Sequence, residues 1–504
     1  MTLTSLDFFL FLIVGLVLFY LSGKRLQKYT LLLLSLYFFL QVVSIETGKV
    51  LLILGYILVV TWLGALLIDK CKEKRRTVVT CLSVSALVAV LFVFKYAYNM
   101  VLTLVSLFRI NADVTFLHFA SLMGISYFVL SAIGYLMDVC WGSYPAEKNI
   151  SKIALFLFYF PQLVSGPITR YPMMREQFEI RHKPEADNLA YGLRRMAWGY
   201  FKKLLISERF AIIVSAIYGN PDAYNGFWLV VGTLCYVIRL YTDFSGCMDI
   251  ILGASRLFGI TLPENFNAPF LSRSFKEFWQ RWHITLGSWF KDYVMYPLQI
   301  SGPFVKLGKK CKKRFGKNVG KKVPTYLSML FLWFLLGIWH GATAHYFVAT
   351  GLVPFLLLVG SDLLQPLFDK MLATLKINAD SFGYKLFQRI RTIFVVCIGW
   401  VFICAETIPN SLTVWKQILT RPFGVCSADI TAALYTLTAP DMIIMILGLL
   451  VLLWEHYCVS RQSNITVWLD NRKAPVKIAV IYAEVLLILF FGMVGSSTFI
   501  YFNF

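Results

Sequence analysis

The chain holds only six histidines, at 118, 182, 283, 340, 345 and 456, and two of them sit where an imidazole would have chemistry to do. His340 closes an almost unbroken apolar stretch, 323–339, that begins beside a run of lysines. A helix rising about 1.5 Å per residue carries it roughly 25 Å from that basic end, deep in any bilayer the stretch crosses. An ionisable group at such depth is costly and marks a functional site by default, the alternative being a hydrogen-bonded core histidine. Gly341 follows it and removes a side chain, so that a substrate or a neighbouring helix can approach closely. His283 lies inside 275–296, where Phe275, Trp279, Trp282, Leu286, Trp289, Phe290 and Tyr293 recur at helical spacing, with Lys276, Glu277, Gln280 and Arg281 opposite. The pattern predicts one amphipathic helix, too charged to span and suited to the interface or a cavity wall. On the pattern alone, His283 serves equally well as a chemical group or as one that orients a loop.

The familiar settings for other chemistries are missing. There is no G-x-S-x-G elbow, P-loop, dinucleotide fingerprint or H-E-x-x-H, and Gly253-Ala254-Ser255 lacks the elbow's second glycine, so lipase-like, ATP-driven, Rossmann and zincin mechanisms have no support. The ten cysteines form no C-x-x-C and no Cys/His cluster at zinc spacing, so neither a metal nor a disulfide framework is expected. Most lie in apolar runs, where free cysteine acts as a small hydrophobe. What remains is a membrane cavity with one or two histidines. A neutral histidine near pH 7 can take the proton of an acceptor hydroxyl as its oxygen attacks an acyl thioester. Direct transfer then needs only a tunnel that aligns the two substrates and donors for the developing oxyanion.

The elements that must position these residues are membrane helices. Of 504 residues, 58% are hydrophobic and 15% charged, where a soluble domain has roughly 45–50% and about 25%. A soluble multidomain enzyme is excluded, as are disordered and collagenous chains. The fold class expected is an all-α polytopic membrane protein, and the 16% of aromatic residues exceeds what lipid-facing helices need. The first apolar run, 8–21, has no preceding positive charge and no small-residue cleavage site, so it does not read as a signal peptide. Lys24, Arg25 and Lys28 follow it and place that loop inside and the N-terminus exoplasmic. Spans are expected at 29–43, 50–69, 77–94, 117–138, 194–217, 226–242, 325–341, 343–364, 388–407, 440–458 and 476–495, with a short polar patch around Glu46 outside. The count is about 11–12 helices of spanning length. Between 153 and 300, prolines, glycines and charges interrupt the apolar runs, which predicts re-entrant and in-plane segments around a cavity. No internal repeat is present.

In a chain of net charge +21 the longest charge run is 306–322, with Lys306, Lys309, Lys310, Lys312, Lys313, Arg314, Lys317, Lys321 and Lys322. The plain expectation is a cytoplasmic loop held against anionic membrane lipids. A dock for an acidic partner, such as an acyl-carrier protein or a CoA phosphate, is the alternative. Nucleic acid is excluded as a partner, since no aromatics are interleaved to stack on bases.

Four stretches resemble the membrane-bound O-acyltransferases, specifically the bacterial branch that O-acetylates alginate and other exported polysaccharides or D-alanylates teichoic acid. Residues 159–171, Tyr-Phe-Pro-Gln-Leu-Val-Ser-Gly-Pro-Ile-Thr-Arg-Tyr, are similar to the family's F-P-x-L-x-x-G-P-I-x-R segment. The run from Pro263 through Asn265, Asn267, Phe270, Arg273, Trp279, Trp282 and His283 to Tyr293 resembles its longest signature. Ile338-Trp339-His340-Gly341 resembles the W-H-G around the family's catalytic histidine, and the aromatic tail 499–504 resembles tails of the polysaccharide-acetylating branch.

The resemblance implies that His340 is the catalytic base, that His283 is a second active-site residue, and that a ring of transmembrane helices encloses a tunnel. Trp279, Trp282, Asn265, Asn267, Arg170 and Trp339 are then expected along that tunnel. Tyr501 would receive the acyl group transiently before an extracytoplasmic acyltransferase partner passes it to the polymer, its alternative role being an interfacial anchor. No bound cofactor is expected; the acyl thioester donor, acetyl-CoA or an acylated carrier protein, is a substrate arriving at the cytoplasmic face of the bacterial cell membrane. The organisation expected is N-terminal transmembrane helices at 1–145, a catalytic core at 146–345, C-terminal transmembrane helices at 346–498 and the tail at 499–504. A D-alanyl donor fits the same scaffold. A lipid or small-molecule transporter competes from another class, opposed by the lack of repeats and of paired intramembrane carboxylates on the expected spans.

Overall fold

The computed structural model describes the chain except residues 43–46, 109–123, 164–165, 342, 427–436, 462, 495–498 and 500–504. Glu46, part of the expected 117–138 span, part of the 159–171 segment, and Tyr501 with most of the aromatic tail therefore lie outside the described residues. The rest is 81% helical with no strands among the described residues, a polytopic all-α membrane protein. Among the described residues, eight helices are long and apolar enough to cross a bilayer: Gly48–Lys70, Glu73–Ala97, Gly226–Leu257, Lys317–His340, Ala344–Thr374, Phe382–Cys404, Ala439–Ser460 and Ala474–Phe491. Other apolar runs form shorter helices of 16 residues, Leu6–Leu21, Gln27–Val42 and Ile125–Cys140. The expected 194–217 span is a composite: helix Ala186–Tyr200 passes through a π-helical segment, Phe201–Ser207, into helix Glu208–Gly219.

The chain divides into two compact units. The first comprises 1–200, 244–263 and 494–504. Here the 159–171 segment is core: Tyr159 and Phe160 are buried, the Tyr159 hydroxyl lies 2.9 Å from Ser255 Oγ, and Phe160 meets the rings of Phe11 and Phe258 at 5.2 and 5.7 Å. Helix Ala186–Tyr200 meets the C-terminal part of Gly226–Leu257 through glycines, a Cβ on Gly199 falling 2.6 Å from the Gly246 carbonyl. Such small-residue contacts let membrane helices pack backbone to backbone. The buried Arg195 guanidinium donates to Asp249 Oδ1 at 2.5 Å in the same unit.

The second unit, 201–243 and 264–493, carries both candidate histidines. The basic run expected as a loop is instead half of a helical hairpin, Gly302–Phe315 followed by Lys317–His340. Gly316, at φ +90°, makes the turn, and a Cβ on Gly320 would lie 2.6 Å from Lys312 Cα, so the two helices touch at backbone distance. Lysine is a good helix former, and here its side chains stay in solvent while only Cys311 of the first helix is buried.

A second departure from expectation is a buried ionic network around the π-helical segment. Lys203 Nζ lies 2.6 Å from both Glu208 Oε1 and Asp243 Oδ1, and all three are buried. Arg209 reaches Asp441 Oδ1 at 2.9 Å and the Phe491 carbonyl at 2.8 Å. Two buried carboxylates thus share one lysine, Glu208 on the expected 194–217 span and Asp243 one residue beyond the expected 226–242 span. Glu208 and Asp243 are 35 positions apart in sequence, beyond any helical periodicity that would reveal them.

Candidate functional site

The amphipathic helix expected over 275–296 is broken, and the break is where His283 stands. Helix Phe275–Arg281 ends at the extended Trp282, and helix Ile284–Phe290 starts after His283. His283 has φ +47°, the left-handed region that costs a residue with a Cβ about 1–3 kcal/mol unless its surroundings over-determine it. Asn265 does that. Its side-chain Oδ1 accepts from Thr285 N–H at 3.1 Å and Thr285 Oγ–H at 2.7 Å, while its carbonyl accepts from Ile284 N–H at 3.0 Å. Those are the open donors of a helix N-terminus, satisfied from outside the helix. An isolated antiparallel bridge between Phe266 and Trp282 holds the other side of the break.

Asn265 is fully buried and acts here as a clamp. Asn267 is exposed; its N–H donates to the Arg281 carbonyl at 3.0 Å and its carbonyl accepts from Arg281 Nη1 at 3.3 Å. Asn265→Ala leaves the buried Thr285 N–H without its acceptor, a loss of about 1–3 kcal/mol. The expected result is a lowered unfolding temperature in detergent together with a larger fall in transfer rate, because the clamp also sets the His283 backbone. A variant that loses stability and keeps its full rate would reject this role.

The aromatic residues of the signature pack around the break. Trp282 stacks on Phe278 at 5.4 Å and meets Phe266 and Trp400 edge-on or tilted, each at 5.1 Å. Trp279 meets Trp333 at 5.1 Å. His340, the last residue of its helix, is buried against Trp339, with ring centroids 4.9 Å apart, and the His283 ring lies 6.2 Å from the same indole. One tryptophan therefore has both imidazoles as neighbours. His283 is buried, and desolvation pushes its pKa down, so it is a neutral imidazole at physiological pH. The space beside Gly341 is filled from within the chain: the Tyr346 ring lies where a Cβ would stand.

Asn265, Asn267, Trp279, Trp282, His283, Trp339 and His340 belong to the second unit. Arg170 belongs to the first, where it precedes helix Tyr171–Glu179. Residues not foreseen from sequence are Trp333, Trp400 and Tyr241, which meet tryptophans of the cluster, and His456, whose ring meets Tyr241. Among the described residues no three His, Cys, Asp or Glu side chains gather as a metal would require.

Residues 86–310 match the profile of the membrane-bound O-acyltransferase family. The probable alginate O-acetylase AlgI of Pseudomonas aeruginosa is 31% identical across 81% of this chain and 72% of its own length. A peptidoglycan O-acetyltransferase of Helicobacter pylori is 25% identical across 77% of this chain and 75% of its own length. A teichoic acid D-alanyltransferase of Bacillus subtilis is 30% identical across 45% of this chain and 56% of its own length. With a buried histidine pair at one tryptophan and this extent of similarity, the chain belongs to the membrane-bound O-acyltransferase family and is an acyltransferase.

Proposed function

We propose that this protein moves an acyl group, acetyl in the first instance, from a cytoplasmic thioester donor across the membrane for O-acylation of an exported cell-envelope polysaccharide. The observation that carries the reading is the placement of His340 and His283 against Trp339, both buried, at the end of a membrane-crossing helix. His340 is the general base. It takes the proton of the acceptor hydroxyl while that oxygen forms its bond to the acyl carbon; the carbon–sulfur bond breaks, and the departing thiolate receives the proton from the imidazolium. His283, neutral by desolvation, serves as a hydrogen-bonding partner beside the reacting carbonyl rather than as a charge.

The donor, acetyl-CoA or an acylated carrier protein, enters from the side marked by the basic residues, and the N-terminus lies on the opposite, exoplasmic side. Tyr501 in the aromatic tail accepts the acyl group as a phenyl ester, reactive enough for an extracytoplasmic transferase to pass it to the polymer. The test is mass spectrometry of acyl groups released from the envelope polymers of cells with and without this chain, and with Tyr501→Phe. Acetate should fall to background in the deletion and in Tyr501→Phe alike. A variant with full acetate would remove Tyr501 from the path. A second reading, D-alanyl transfer, draws on the likeness to the Bacillus subtilis D-alanyltransferase over 45% of the chain. The same measurement separates the two, since loss of D-alanine ester in place of acetate would select it.

A further inference from the structure

The second unit holds four histidines, and the mechanism above leaves His345 and His456 unused. His456 lies on helix Ala439–Ser460 and is buried, at 2% exposure. Its Nδ1 is 2.9 Å from the Leu452 carbonyl one turn earlier. A carbonyl only accepts, so Nδ1 carries a ring proton. Nε2 is buried without a hydrogen-bond partner. A buried polar atom left unmatched is costly and calls for a role.

The surroundings say what kind of group it is set to meet. The ring is stacked on Phe270, with centroids 5.6 Å apart and planes 6° from parallel, and Tyr241 meets it edge-on at 5.2 Å. Tyr241 also lies 6.1 Å from Trp282, the residue before His283. Glu455 Oε1 lies 3.8 Å from Lys202 Nζ and its Oε2 lies 3.7 Å from His456 Nδ1. The helix ends at Ser460 and is followed by Arg461, Arg472 and Lys473, which mark this end as cytoplasmic. His456 is four residues from that end, roughly 6 Å along the axis. An imidazole between two aromatic rings thus stands near the cytoplasmic end of its helix, with Tyr241 linking it to the residue next to His283.

We infer that His456 is a binding residue for the acyl donor, its Nε2 accepting a hydrogen bond from an amide N–H of the pantetheine arm that CoA and carrier-protein thioesters share, with Phe270 and Tyr241 flanking the arm's methylenes. This rests on the proposed thioester donor. Acyl transfer is measured on the full chain in nanodiscs with two separate donors, acetyl-CoA and an acetylated carrier protein. His456→Phe keeps the stacked ring and removes the acceptor. It should raise the KM of whichever donor is used about tenfold, the worth of one buried hydrogen bond, with kcat within about twofold of the parent. His456→Gln restores an acceptor near the Nε2 position and should recover most of the affinity. Binding of unacylated CoA, measured by calorimetry on the same three proteins, gives a readout that needs no chemistry. If the parent fails to transfer yet binds CoA in the order parent, Gln, Phe, the thioester-transfer reading fails and this inference stands. An unchanged KM in His456→Phe, a Gln variant as weak as Phe, or a parent that binds no CoA would each overturn it.

Discussion

Replacing His340 by alanine should lower the transfer rate by about 10²–10⁴-fold, the usual contribution of a positioned general base, while leaving the protein folded. The side chain is the last of helix Lys317–His340, so the substitution removes no interior turn, and its ring is packed on the neighbouring Trp339. The stability cost is that of a partly collapsed cavity and falls well below the stability of a protein this size. His340→Gln keeps a hydrogen-bonding amide and most of the volume but cannot accept a full proton at neutral pH, so it should be as inactive as alanine and more stable. Initial rates with saturating donor, together with unfolding temperatures in the same detergent, check both statements. Either variant retaining more than a tenth of the parent rate would reject His340 as the base.

Lys203→Met is the change expected to cost most in stability. Its ammonium sits 2.6 Å from two buried carboxylates, Glu208 and Asp243. Removing it leaves two negative groups together in a low-dielectric interior, and breaking a buried ion pair from one side typically costs about 3–5 kcal/mol. Adding Asp243→Asn to Lys203→Met removes one of the stranded charges and should recover part of the loss, a coupling that a double-mutant cycle measures directly. Chemical unfolding in mild detergent is the measurement. A double variant no better than the single would mean that Asp243 and Lys203 act independently.

The class of fold was legible in composition, because at this length a lipid-embedded chain is what combines so many apolar residues with so little charge. The long spans were legible for the same reason. Three features escaped, each for a physical cause. The break at Trp282–His283 lies inside a sequence whose aromatic spacing is helical throughout; what interrupts it is Asn265, some 18 residues earlier, competing for the backbone donors of Ile284 and Thr285. The hairpin of residues 302–340 was hidden because a lysine run reads as solvated loop until Gly316 and Gly320 are seen to turn it and bring the helices into contact. The ionic network escaped because helical periodicity reports faces of one helix and says nothing of which charge on a distant helix will meet it. The prominence of His340 and His283 came from their neighbours in the chain, whereas His456 is distinguished by its tertiary contacts with Phe270 and Tyr241.

His283 sits in a backbone conformation that glycine and asparagine occupy more readily than histidine does. Selection for stability alone would therefore drift away from histidine at this position, and the role proposed for His283 implies that selection for activity would hold it. Random variation followed by a fold-only screen should enrich glycine and asparagine here, while an activity screen of the same library should purge them. Opposed preferences of that kind are what the proposed role of His283 predicts, and they would expose this position to any experimenter who never looked for chemistry.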